Sequence, residues 1–93
     1  MNLYQYILKL VGRDSFIKGR MYPSSFIKKN DVIKENNFFQ QYYSVKSERT
    51  NTWYQVIIEN NGTNINNVSC NCPQYIKLHT CKHIAAVLVE DIT

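Results

Sequence analysis

The stretch Cys70-Asn71-Cys72-Pro73, followed by Cys81-Lys82-His83, lies near the carboxy-terminal end of this 93-residue chain. It forms a C-x-C…C-x-H pattern with eight residues between the pairs, and it contains all three cysteines of the chain. Residues two apart in a strand point the same way, so Cys70 and Cys72 can face one ion. Cys81 and His83 are predicted to begin a helix, where backbone amides favour a thiolate. The pattern therefore predicts one tetrahedral, structural zinc site.

His79 is the alternative ligand, because it also lies two residues from Cys81. We expect it to be exposed in a loop over residues 74–80, whereas His83 can present its ring from the first helical turn. Four protein ligands close the coordination shell, while a catalytic zinc keeps a position open for water. The stretch from Cys70 to His83 contains no acidic residue that could act as a general base. A phosphate-binding loop is also absent, so the segment is predicted to be non-catalytic and to take no small-molecule substrate.

An odd cysteine count argues against a secreted disulfide scaffold and favours a reducing compartment. The longest apolar run, residues 84–89, is six residues long, far below the ~18 that a membrane span needs. The first fifteen residues lack the apolar block and cleavage site of a signal peptide. We therefore expect a cytoplasmic protein without a membrane partner. Residue usage (rich in Asn, Ile, Lys and Tyr, poor in Ala) suggests a bacterial source.

Hydrophobic periodicity predicts an α+β fold. Apolar residues from Leu3 to Val11 recur at helical spacing, with Asn2 as a possible cap and Gly12 ending the helix. A second short helix is expected after Asp14 or Ser15, and it ends before Pro23. Alternation then predicts an antiparallel meander of about four strands, with turns at Asn36-Asn37, 46–52 and Asn60-Asn61-Gly62. A carboxy-terminal helix, held to the sheet by the zinc ion, is predicted to begin at Cys81.

These elements predict a single zinc-binding domain over residues 1–93. Residues 1–30 form its helical lead-in, residues 31–69 the meander, and residues 70–93 the zinc motif and helix. The last helix has no glycine cap before Thr93, so we expect the amino-terminal part of a longer protein.

Positive charge is concentrated in the first half of the chain. The formal net charge is +4, and residues 1–50 contribute nine Lys and Arg against four Asp and Glu. A positive surface attracts polyanions by Coulomb steering and counterion release. The candidate phosphate contacts are Lys18, Arg20, Lys28 and Lys29, with Lys77 and Lys82 beside the zinc loop. An exposed aromatic side chain such as Tyr75 could stack on the bases of a single strand. Tyr75 could instead cover the zinc site. For Trp53, Tyr42 and Tyr43 the alternative role is packing within the sheet.

The run Cys70-Asn71-Cys72-Pro73…Cys81-Lys82-His83-Ile84-Ala85-Ala86-Val87-Leu88 resembles the SWIM zinc finger, as found near the amino terminus of bacterial SWI/SNF-type helicases and in MuDR-type transposases. Gly19-Arg20-Met21-Tyr22 and the strand Tyr54–Ile58 are similar to the layout upstream of that finger. The segment Gln74–Leu78 is bulkier than the small glycine-rich loops usual between the ligand pairs. The resemblance implies a nucleic-acid accessory module, with DNA expected ahead of RNA, attached to a larger helicase-type chain.

Two other interpretations remain open. The first is a protein-protein or intramolecular docking module, which would use apolar faces of the first and last helices if so small a domain leaves them partly uncovered. The second is a redox or metal-sensing switch based on thiolate oxidation.

Overall fold

The computed structural model describes residues 3–61 and 65–92, which form two amino-terminal helices, a four-stranded sheet and two carboxy-terminal helices. In chain order the elements are α1 (Leu3–Val11), α2 (Arg13–Arg20), a 3-10 turn (Ser24–Phe26), β1 (Ile27–Glu35), β2 (Phe38–Lys46), β3 (Trp53–Asn60), β4 (Ile65–Cys70), α3 (Pro73–Leu78) and α4 (Lys82–Ile92). This confirms the predicted α+β class.

The sheet is the predicted antiparallel meander, with strand order β1-β2-β3-β4. Tyr43 of β2 lies opposite Lys29 of β1 and Val56 of β3, and Val56 lies opposite Cys70 of β4. The turn between β1 and β2 contains Asn36 at φ 54°, a left-handed conformation that Asn tolerates well. The predicted turn at Asn60-Asn61-Gly62 falls partly outside the described residues.

Three details differ from the sequence predictions. First, β1 begins at Ile27 rather than Asp31, because pairing with β2 recruits the polar residues Lys28 and Lys29 into the strand. Second, α2 follows Gly12 directly, at φ 86°, and no side chain caps it. Third, part of the predicted loop over residues 74–80 is the helix α3, which begins at Pro73. Proline suits a first helical position, because its missing N–H would have no helical partner there.

The core lies between one face of the sheet and the helices. Ile7 and Val11 of α1, Val45 and Val56 of the sheet, and Ile84 of α4 are almost completely buried. In α4 every residue from His83 to Leu88 is buried, so this helix is surrounded by the rest of the domain. The last helix therefore has no uncovered apolar face between His83 and Leu88, which counts against its use as a docking surface.

The lead-in helices belong to this core. Helix α2 crosses α4 so closely that a Cβ added at Gly19 would lie 2.5 Å from the Ala85 Cβ and 2.7 Å from the Ala86 backbone nitrogen. Tyr6 of α1 donates a hydrogen bond to the Ile65 carbonyl of β4, over 3.1 Å. None of the helices in the described part of the chain has the length and apolar content that crossing a bilayer requires.

Candidate metal centre and basic groove

Four potential metal ligands converge where the sheet meets α4. Cys70 is the last residue of β4, Cys72 immediately precedes α3, Cys81 immediately precedes α4, and His83 lies in its first turn. All four are buried, and their ligand atoms lie within 4.8 Å of one another. The structure thus brings together the four residues that the sequence pattern singled out.

The geometry fits a tetrahedral metal. The Cys70 Sγ and His83 Nδ1 atoms are 3.8 Å apart. Ligands at about 2.3 Å (thiolate) and about 2.0–2.1 Å (imidazole) from one zinc ion would lie about 3.6 Å apart across a tetrahedral angle. Thiolates and an imidazole are also the ligands that structural zinc prefers. The site therefore fits one zinc ion, which when bound cross-links the strand and the helix.

Without metal, the three thiols differ in proton affinity. The hydrogen bond between the Cys70 and Cys81 sulfurs lowers the pKa of Cys81 to about 4, against the opposing effect of burial, and raises the pKa of Cys70. Burial raises the pKa of Cys72. Of the three thiols Cys81 therefore loses its proton most readily, and metal ligation requires all three to be deprotonated.

Aromatic side chains enclose the His83 ring. The Tyr22 ring meets it edge-on, with centroids 5.7 Å apart, and the Tyr54 ring lies tilted against it at 5.1 Å. The Tyr22 hydroxyl donates to the Lys46 carbonyl, and burial raises the pKa of Tyr22 to about 12. Among the described residues, His83 Nε2 is the buried side-chain polar atom that has no hydrogen-bond partner. A metal-bound histidine usually donates its other N–H, so this atom needs an acceptor.

The alternative ligand, His79, lies apart from the cluster. It is exposed, ends α3 in a left-handed conformation at φ 59°, and contacts the Tyr75 ring edge-on. His79 therefore closes a short helix, and the structure assigns it no place among the converging ligands.

Comparison with known families matches residues 54–90 to the SWIM zinc finger. The chain contains a SWIM zinc finger. The finger is a binding module rather than a catalytic domain, and together with the Cys3His cluster it identifies the metal as one zinc ion. No significant match was found among curated proteins or among solved structures.

Residues outside the matched segment pack against the SWIM finger. Tyr22, which packs on the ligand His83, precedes the match by 32 residues, and Gly19 packs on α4. In the sequence, the pair Tyr22-Pro23 predicted only where α2 ends. Nothing in that pair shows that the ring reaches the metal site, because the contact depends on how α2 crosses α4.

A basic groove of about 230 Å³ adjoins the SWIM site. Three cationic side chains line it, Lys18 of α2, Arg49 of the β2–β3 turn and Lys82 of α4, together with His83 itself. Ser47, Tyr54, Cys72, Pro73 and Gln74 complete the lining. Lys82 Nζ also lies 3.0 Å from a carboxylate oxygen of Glu48, so one acid partly offsets the three cations.

The predicted phosphate contacts do not form a single surface. Lys18 and Lys82 share the groove, but Lys28 and Lys29 are consecutive in β1 and therefore point to opposite faces of the sheet. The Arg20 guanidinium lies over the Phe16 ring at 5.8 Å. Lys77 is exposed on α3. The sequence reasoning did not propose Arg49, because it lies in a polar turn outside the basic stretch 9–29.

The aromatic side chains considered for base stacking also lie in different parts of the fold. Tyr75 is half-buried and donates a hydrogen bond to the Val68 carbonyl over 3.0 Å, so it fastens α3 to β4. Tyr43 is buried in the core, whereas Trp53 is 47% exposed on the other face of the sheet. Of these three residues, Trp53 is therefore the most exposed to solvent.

Proposed function

We propose that this domain is a non-catalytic module that binds nucleic acid, DNA ahead of RNA, through phosphate contacts in the basic groove beside its zinc site. The observation that carries the proposal is the convergence of Lys18, Arg49 and Lys82 from three separate parts of the chain. Within the described residues neither the Lys18 nor the Arg49 side chain has an ion-pair partner, so both charges are available to a phosphate.

The position of the groove also supports an anionic ligand. The groove lies at the start of α4, where the helix dipole favours negative charge. Phosphate contacts hold the nucleic-acid backbone in place and do not read its sequence.

The wider setting follows from the SWIM resemblance. We infer that residues 1–93 act as one domain of a longer bacterial, cytoplasmic protein of the SWI/SNF helicase type. The contact between the Tyr22 and His83 rings supports including the lead-in helices in that domain. In such a protein the module would hold the nucleic acid while another part of the chain carries out ATP hydrolysis.

The test is salt-dependent binding to labelled single- and double-stranded DNA, using zinc-loaded protein. The wild-type affinity should fall steeply as salt rises. The double variant Lys18→Ala/Arg49→Ala should bind more weakly, with a log-log salt slope shallower by roughly 1.5–2, because two phosphate contacts are lost. Glu48→Gln should strengthen binding, because it removes the carboxylate that competes for Lys82.

The matched control is Lys9→Ala/Lys34→Ala, which removes the same charge from residues that do not line the groove. Equal losses in both double variants would show attraction by net charge alone and would contradict a groove-specific site. If zinc-loaded protein fails to bind either DNA at low salt, the docking interpretation becomes the better one. The exposed apolar side chains Met21, Ile76 and Leu78 are then the place to look for a partner.

A further inference from the structure

The face of the sheet opposite the core carries a second set of side chains. None of the described side chains on this face is fully buried, and we call it the open face. Its members at the end of the sheet nearest the β2–β3 turn are Lys28, Asn30, Tyr42, Ser44, Trp53 and Gln55.

The strand register brings Trp53 close to a cation. Ser44 lies opposite Lys28 of β1 and opposite Gln55 of β3, and Trp53 is two residues before Gln55 on the same face. Lys28, Ser44 and Trp53 line a depression of about 400 Å³. An exposed indole beside a lysine can accept a flat base and its phosphate together.

A second depression of about 660 Å³ lies alongside the first. Tyr42 and Ile33 supply its aromatic and apolar lining, Asn30, Asp31 and Gln55 supply hydrogen-bonding groups, and Lys29 also lines it. The Asn30 Nδ2 atom donates to Ser44 Oγ over 2.7 Å, which fixes that amide between the two depressions. Aromatic faces next to amide and carboxylate groups are the chemistry that recognises unstacked nucleobases.

The distribution of charge along the sheet agrees with this ligand. The acids Glu35 and Glu59 lie opposite Phe38 and Gln40, six and four residues along β2 from Ser44. That places them roughly 13–20 Å from Ser44, which exceeds the Debye length of about 8 Å at physiological salt. Asp31 is nearer and lies in the second depression, where a base edge rather than a phosphate would be bound.

The open face and the basic groove meet at one turn. Ser47 and Arg49 of the β2–β3 turn line the groove, and Trp53 is the first residue of β3 after that turn. A nucleic-acid strand held by its phosphates in the groove therefore has an aromatic surface available where it passes around the turn.

We propose that the open face is a stacking platform for single-stranded nucleic acid, with Trp53 as the principal stacking residue and Lys28 as its phosphate contact. This rests on the proposed nucleic-acid function and names its substrate class. Bases in a duplex are already paired and stacked within the helix, whereas unpaired bases can turn out onto an aromatic ring. The platform therefore distinguishes single from double strands, which the basic groove does not.

Because Trp53 is the sole tryptophan, its fluorescence reports on this face alone. Zinc-loaded protein is titrated with three probes: a fifteen-nucleotide oligothymidine, a backbone of the same length with abasic sites, and a duplex of the same length. We expect strong quenching by oligothymidine and little by the other two. Binding of all three without selective quenching would overturn the platform and leave the groove intact, and no binding of any probe would overturn both proposals.

Substitution provides the second measurement, using anisotropy of labelled probes. Trp53→Ala should weaken oligothymidine binding about tenfold, because the base loses the ring on which it stacks, while Trp53→Phe should recover most of the affinity. Affinity of Trp53→Ala for the abasic backbone should change less than twofold. A zinc stoichiometry of one in each variant controls for folding. Equal weakening toward both probes, or no weakening toward oligothymidine, would contradict the proposal.

Discussion

At the residue scale, side chains outside the ligand pattern pack against the metal site. Tyr22 packs edge-on against the His83 ring, and its hydroxyl is fixed by the Lys46 carbonyl. Gly19, three residues earlier, lets α2 approach the helix that carries His83. Gly19 lies in the last turn of α2, and glycine within a helix costs up to about 1 kcal/mol relative to alanine. The close approach of two helices is the physical reason for glycine here.

We expect Gly19→Ala to destabilise the domain although alanine favours helices. The new Cβ would lie 2.7 Å from the Ala86 backbone nitrogen, and a backbone atom can move away only if the helix moves with it. Overpacking of this kind costs about 1–3 kcal/mol, which exceeds the gain in propensity. Urea unfolding at a fixed concentration of free zinc measures the change in the free energy of unfolding. Arg13→Ala, which replaces an exposed side chain of the same helix, is the control. A rise in the unfolding midpoint of Gly19→Ala would contradict the close packing.

At the element scale, α3 is the part of the zinc motif that sequence patterning missed. Its six residues are too few to form a stable helix alone, since isolated helices shorter than about 12–15 residues are marginal in water. Two tertiary features support it. The Cys72 sulfur accepts a hydrogen bond from the Tyr75 amide over 3.4 Å, and the Tyr75 hydroxyl reaches Val68 of β4.

Replacing Tyr75 should therefore loosen α3 without unfolding the sheet. In Tyr75→Ala we expect faster amide hydrogen exchange at Ile76 and His79, whose N–H groups bond to Cys72 and Tyr75 carbonyls, and unchanged exchange at Val56. Tyr75→Phe separates the ring from its hydroxyl and should show a smaller effect. Unchanged exchange in α3 of Tyr75→Ala would mean that the helix does not depend on this attachment.

At the scale of the whole molecule, a metal joins the two halves of a small core. The ligands tie the end of β4 to the start of α4, and α4 is buried against α2 and the sheet. Zinc binding contributes about 10–16 kcal/mol in small zinc peptides. The total stability of a typical domain is only about 5–15 kcal/mol. Loss of the ion is therefore expected to cost the domain its tertiary structure.

Excess chelator, or Cys72→Ser, should abolish the dispersed NMR spectrum of the carboxy-terminal half, and restored zinc should recover it for the wild type. His79→Ala is the matched control: it removes the neighbouring histidine that lies outside the cluster, and it should keep one zinc per chain. A dispersed spectrum at near-zero metal content would show that the core holds without the ion.

The sequence by itself determined the metal ligands, the strands and the class of fold. Ligand spacing and alternation of side chains are local properties, so Cys70, Cys72, Cys81 and His83 could be singled out before any tertiary contact was known. Local sequence patterns did not predict helix α3, because Gln74–Leu78 carries no helical hydrophobic period of its own. Hydrogen bonds with Cys72 and Val68 hold the helix in place.

Only the tertiary structure decided how charges and aromatics are shared between surfaces. Consecutive Lys28 and Lys29 point to opposite faces, and Lys18 meets Arg49, 31 residues away in the chain, in one groove. The packing of helices on a single face of the sheet leaves Trp53 exposed while it buries Tyr43. Such groupings depend on contacts between residues distant in sequence, which composition and spacing do not encode.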